Sequence, residues 1–130
     1  MRGLEWGNPA THHILAVHGW LDNSNSFHFL GPALAAGGYH VAAVDLPGHG
    51  LSDPLPHGLH YHDLEWVSVL HRVTGLLGWD RCSLVGHSLG AGNSLLYASA
   101  FPLKVETLVM LDITFLPVRP GSSHPDSGLL

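Results

Sequence analysis

The stretch Gly86-His87-Ser88-Leu89-Gly90 constrains this chain more than any other. It follows the apolar run Cys82-Ser83-Leu84-Val85 and precedes Ala91-Gly92-Asn93-Ser94-Leu95-Leu96-Tyr97-Ala98. A strand, a sharp turn at a central serine and then a helix is the context in which this spacing carries a mechanism. The turn holds the serine hydroxyl above the sheet edge. Glycines two positions to either side suit it, because a Cβ there collides with the neighbouring chain or disfavours the turn. The helix that starts beside the serine leaves free N–H groups and a partial positive charge, which stabilise an oxyanion formed there.

Around this turn the hydrophobic pattern alternates between two periods. His13-Ile14-Leu15-Ala16-Val17 and Tyr39 to Val44 are short continuous apolar runs, as expected of strands buried on both faces. Val105 to Leu111 is a further strand, finishing at Asp112. Between the strands, Phe27, Leu30 and Leu34 predict a helix from Ser26 to Ala36, stopped at Gly37-Gly38. Val67, Leu70, Val73 and Leu77 predict another, with Asp63 as its cap and Gly78 as its stop. Residues 1–11 read as a loop. The expected fold class is α/β, with about four parallel strands and flanking helices in three layers. In such sheets ligands bind beyond the strand C-termini. His18-Gly19-Trp20, Asp45 to Gly50, Ser88 and Asp112 all fall there, so one end of the sheet carries the expected site. After Ile113 the pattern stops, and Pro117, Pro120 and Pro125 around Gly121-Ser122-Ser123 predict a flexible tail over 115–130, beside a domain over 1–114.

Composition narrows the function classes. At 130 residues, 45% of them hydrophobic, the chain is long enough for one buried core. Five Lys+Arg against ten Asp+Glu leave no basic patch, so no nucleic acid partner is expected. Cys82, the lone cysteine, reads as a small core residue. Met1-Arg2-Gly3-Leu4-Glu5 lacks the apolar stretch of a signal peptide, and no run approaches the ~20 apolar residues of a membrane span. The resulting expectation is an intracellular, cytoplasmic chain.

Three motifs together carry a resemblance. His18-Gly19-Trp20-Leu21-Asp22-Asn23, Asp45-Leu46-Pro47-Gly48-His49-Gly50-Leu51-Ser52 and Gly86-His87-Ser88-Leu89-Gly90 resemble the N-terminal half of an α/β-hydrolase, over roughly residues 4–114. Within that superfamily they are most similar to the serine hydrolase-like proteins. The resemblance implies that Ser88 is the nucleophile, forming an acyl-enzyme on an ester-like small-molecule substrate that water then releases. It implies the backbone N–H groups of Leu89 and Trp20 as oxyanion donors. His18, Gly19, Gly86, His87 and Gly90 would shape the site, and the Asp45 to Ser52 loop would be structural. The strands would lie in the spatial order second, first, third, fourth. No cofactor and no metal are implied.

The departures from the family pattern are equally specific. A serine needs a base, usually a histidine oriented by a carboxylate, and in this fold both follow the serine on later strands. Asp112 is a candidate acid at its strand end. His124, the only histidine after Ser88, falls in the proline-rich stretch. The expected half-sheet, truncated at both ends relative to about eight strands, would have two open edges able to bind a protein partner. A catalytically inactive interaction fragment is therefore the alternative to a working hydrolase. A third reading, a zinc-dependent hydrolase using His57, His60 and His62, matches no metal-ligand spacing with a mechanical basis.

Overall fold

Side chains on His13–Val17 (β2) alternate between the two faces of a sheet. Ile14 and Ala16 join one apolar cluster, while Leu15 and Val17 join another on the opposite face. His40–Asp45 (β3) repeats the pattern, with Val41 and Ala43 on the first face and Ala42 and Val44 on the second. In Cys82–His87 (β4), Cys82 and Leu84 face one way and Val85 the other. Strands that bury both faces need helices above and below. The computed structural model, which describes residues 1–58 and 60–113, provides them. Asp63–Leu76 (α2) and Leu89–Ala100 (α3) cover one face with Trp66, Leu70, Val73 and Tyr97. A 3-10 turn at Ser24–Phe27 and Leu30–Ala36 (α1) cover the other with Phe27 and Leu34. Leu15, Leu70 and Leu84 are fully buried, and each such side chain contributes about 1.5–3 kcal/mol.

Arg2–Trp6 (β1) and Val105–Leu111 (β5) complete a five-stranded sheet in the order β1-β3-β2-β4-β5. The four parallel strands keep the order expected from sequence. Chain direction reverses its lateral sense between β2 and β4, and ligand crevices in open α/β sheets form at such a switch.

Four expectations need correction. Residues 2–6 form a strand rather than a loop: β1 pairs antiparallel with β3, Arg2 opposite Asp45 and Trp6 opposite Val41. The sheet therefore does not stop at β3, and its edge on that side is β1 instead. β1 escaped the apolar-run criterion because it is an edge strand with four of its five residues exposed. The helix expected from Ser26 to Ala36 is broken at His28 and Phe29 into the 3-10 turn and α1. Asn23 caps the first of these, accepting from the Asn25 N–H at 3.0 Å. His62, not Asp63, is the N-cap of α2, so Asp63 lies one position inside the helix. Gly78 does follow the end of α2, at φ +71°. The stretch 115–130 lies outside the described residues, among which no helix is long and apolar enough to cross a membrane.

At the end of the sheet opposite Ser88, His13 and His40 share a hydrogen bond between their Nδ1 atoms at 3.0 Å. One ring must donate and the other accept, so the pair cannot hold a proton on both facing nitrogens. His40 also bonds Glu5 of β1 through Nε2, and His13 stacks on Trp79 at 4.5 Å. Burial lowers the His13 pKa, assisted by the nearby His40 and His12. A histidine whose folded pKa lies below its unfolded value of about 6.5 favours folding above that pH, and the contribution is lost as pH falls through the folded value. The urea midpoint is therefore expected to fall between pH 7.5 and pH 5.5, and His13→Gln should flatten that dependence. An unchanged slope in the variant would remove His13 from the explanation.

Candidate active site

Ser88 joins β4 to α3 with φ +50° and ψ −115°, a conformation that strains a residue carrying a Cβ. Its N–H donates to the Leu111 carbonyl at 3.0 Å, and its own carbonyl accepts from Ala91 at 3.0 Å and Gly92 at 3.2 Å. The turn is thereby tied to the C-terminal end of β5 and to the first turn of α3. A Cβ on Gly86 would stand 2.5 Å from the Ala91 Cα, and one on Gly90 would run into the carbonyls of Val17 and His18. Two absent side chains thus let α3 start directly against β2 and β4. The serine is exposed. Leu89 is the first residue of α3, so its N–H is one of the donors a helix leaves without an internal partner.

A second turn, from the end of β2, meets the first. A Cβ on Gly19 would lie 3.3 Å from the Ser88 Cβ and 3.0 Å from His87 Nδ1. Trp20 follows, 57% exposed, and Leu21 is left-handed at φ +57°. His18 is fully buried beneath this turn. Its Nε2 accepts the Leu46 N–H at 3.0 Å, which leaves the proton on Nδ1 to donate to the Gly19 carbonyl at 2.7 Å. Burial lowers the His18 pKa, against the opposing pull of the Gly19 carbonyl. His18 is thus a neutral clamp between the Trp20 turn and the loop after β3.

That loop is held by Asp45, 3% exposed. One carboxylate oxygen accepts the Ser24 N–H at 2.7 Å and the other the Leu51 N–H at 2.9 Å. The Ser52 hydroxyl donates to the Asp45 carbonyl at 2.7 Å. Burial alone would raise the carboxyl pKa, but the hydrogen bonds from Leu51 and Ser24 outweigh it and hold the group ionised below the usual range. Within the loop His49 donates from Nδ1 to the Pro47 carbonyl at 3.0 Å, leaving Nε2 buried without a partner.

The histidines around the site are engaged away from the Ser88 hydroxyl. His18 and His49 are committed as described, and His87 Nε2 faces the Asp112 carboxylate at 3.9 Å. Asp112 is 88% exposed and left-handed at φ +49°. It stands beside His87 rather than behind an imidazole that reaches the serine. His124 lies outside the described residues. His60 and His62 are neighbours, with ring centroids 5.5 Å apart. No group of three His, Cys, Asp or Glu able to hold a metal ion occurs among the described residues.

Two contributors had no assigned role in the sequence reading. Asp45 was visible only as the start of a loop. Asp22 accepts the Asn23 N–H at 2.9 Å at the far side of the Trp20 turn. Burial raises its carboxyl pKa, but Ser26, Asn23 and the nearby His18 and His87 together hold it below the usual range. The cap residue Asn23 directly after Asp22 was the available signal.

Comparison with known proteins gives a consistent placement. The model of the alpha/beta hydrolase fold matches residues 12–127. A serine hydrolase-like protein of Danio rerio is 39% identical over 92% of this chain and 36% of the relative. A probable serine hydrolase of Drosophila melanogaster is 40% identical over 88% of this chain and 34% of the relative. The chain therefore spans about a third of the length of these curated relatives. Among solved structures, the thioesterase domain from the curacin biosynthetic pathway superposes with a TM-score of 0.81 at 34% identity. That match covers 90% of this chain and 43% of the domain.

Proposed function

This chain belongs to the α/β-hydrolase fold family, and from that premise we propose that it carries the nucleophilic half of a serine hydrolase acting on ester-like bonds. Ser88 attacks the acyl carbon, and the alkoxide oxygen of the tetrahedral intermediate is received by the N–H groups of Leu89 and Trp20. Collapse breaks the bond to the leaving oxygen, which takes up the proton given up by the Ser88 hydroxyl and departs as the alcohol. Water then attacks the acyl group on Ser88, releasing the acid and restoring the hydroxyl. The single observation that carries this reading is the meeting of the Gly19 turn with the strained Ser88 turn at the start of α3. The names of the relatives, a serine hydrolase-like protein and a thioesterase domain, agree with acyl transfer through a serine.

One observation favours a second reading. The His18 and His49 imidazoles are committed to Leu46, Gly19 and Pro47, His87 Nε2 faces Asp112 at 3.9 Å, and none of those contacts activates the Ser88 hydroxyl. A chain with the serine in place but idle would be a hydrolase-like binding fragment. Fluorophosphonate labelling separates the two, since such probes react with an activated serine. Labelling of the 130-residue chain that disappears in Ser88→Ala would support the first reading and mean that a base other than these imidazoles, as placed here, activates the serine. Folded protein that stays unlabelled would establish the idle form.

A further inference from the structure

Beside the Ser88 turn lies an open cavity of about 260 Å³ lined by Asp22, Ser26, Phe27, Leu30, His87 and Leu111. Its position follows from the turns already described. His87 is covalently next to Ser88, and the Leu111 carbonyl accepts the Ser88 N–H. Asp22 closes the Trp20 turn, its N–H donating to the Gly19 carbonyl at 3.3 Å. The cavity is thus bounded by the nucleophile turn, the oxyanion turn and the Ser24–Phe27 segment with the start of α1. From these contacts we infer that it is the acyl subsite, and that it takes short, uncharged acyl chains. This assignment rests on the reading of Ser88 as the nucleophile.

Size and charge define that class. At about 260 Å³ the space is smaller than the roughly 300–1,000 Å³ of pockets that enclose drug-sized ligands, so a short chain suits it. Phe27, Leu30 and Leu111 supply an apolar lining, so a hydrocarbon chain gains by leaving water there. Asp22 supplies the discrimination. Its carboxylate is held ionised, and the Asp112 carboxylate lies 3.9 Å from His87 Nε2. An acyl chain ending in a carboxylate would bring a like charge against Asp22 in a partly desolvated space, whereas a neutral chain of the same length would not.

Two measurements test this, one of which needs no turnover. Hexanamide, an unreactive acyl mimic, is titrated calorimetrically into the Ser88→Ala chain, with and without Leu30→Trp, which fills the cavity from the start of α1. Binding that weakens about tenfold or more in Leu30→Trp is expected. Equal affinity in both would overturn the subsite, whatever the serine does. In the chain with Ser88 intact, the p-nitrophenyl ester of butyric acid is compared with the p-nitrophenyl monoester of succinic acid. The neutral ester should be favoured at least about tenfold in kcat/KM, and Asp22→Asn should narrow that ratio. A ratio unchanged by Asp22→Asn would overturn the charge rule. Failure of fluorophosphonate labelling together with retained hexanamide binding would sink the hydrolase reading and leave the cavity as a binding site for neutral acyl groups.

Discussion

Asp45→Ala is expected to lower the free energy of unfolding by about 2–4 kcal/mol, a large fraction of the ~5–15 kcal/mol typical of a domain. The carboxylate is 3% exposed and accepts one backbone N–H on each oxygen, from Ser24 and from Leu51. Bonds to an ionised acceptor are the strong ones; removing it strands the buried Ser24 N–H, at about 1–3 kcal/mol, and breaks the part-buried bond from Leu51. Asp45→Asn, which keeps one acceptor oxygen and loses the charge, should cost less than Asp45→Ala. Urea denaturation at pH 7 measures both, and a loss below about 1 kcal/mol for Asp45→Ala would show that the loop holds itself. Because the folded pKa of Asp45 is depressed, its contribution is present above the unfolded value of about 3.9 and disappears as pH falls through the folded one. Acid sensitivity between pH 7.5 and 5.5 therefore belongs to the histidines, and sensitivity below pH 4 to Asp45 and Asp22.

What the sequence displayed and what it hid divide along a physical line. β2, β3 and β4 were legible because burial on both faces forces unbroken apolar runs, whereas β5, an edge strand with no fully buried residue, showed through its Leu108-Val109-Met110-Leu111 stretch. β1 was hidden because an edge strand makes few demands on its side chains, and Arg2-Gly3-Leu4-Glu5-Trp6 has no run to detect. The break between Phe27 and Leu30 was hidden because the apolar spacing is shared by one helix or two short ones. At the site, Ser88 and the glycines around it were visible, since a strained turn restricts residue type locally. His18 and Asp45 act through partners 28 and 21 positions away in sequence, Leu46 and Ser24, so their clamping roles exist only once β2 and β3 lie side by side. The cavity is of the same kind: Asp22, Leu30, His87 and Leu111 come from four separate segments, and no spacing rule connects them.

Ser88→Gly is expected to change function and stability in opposite directions. Loss of the hydroxyl removes the nucleophile, so any fluorophosphonate labelling disappears and any ester turnover falls to what oxyanion donors and binding alone supply. The same substitution removes the Cβ at φ +50° and ψ −115°, a conformation glycine adopts without penalty. Strain of about 1–3 kcal/mol is relieved, offset by about 0.5–1 kcal/mol for the greater freedom of glycine in the unfolded chain. Ser88→Ala is the matched control, because it deletes the hydroxyl but keeps the Cβ and hence the strain. Ser88→Gly should therefore be equally unlabelled but more stable than Ser88→Ala, by up to about 2 kcal/mol in urea denaturation. Such a gap would mean that the fold holds the serine in a costly conformation for the sake of its exposed hydroxyl, as expected where the turn serves chemistry. Equal stability of the two variants would mean that the turn relaxes around alanine, and that the conformation at Ser88 belongs to packing rather than to catalysis.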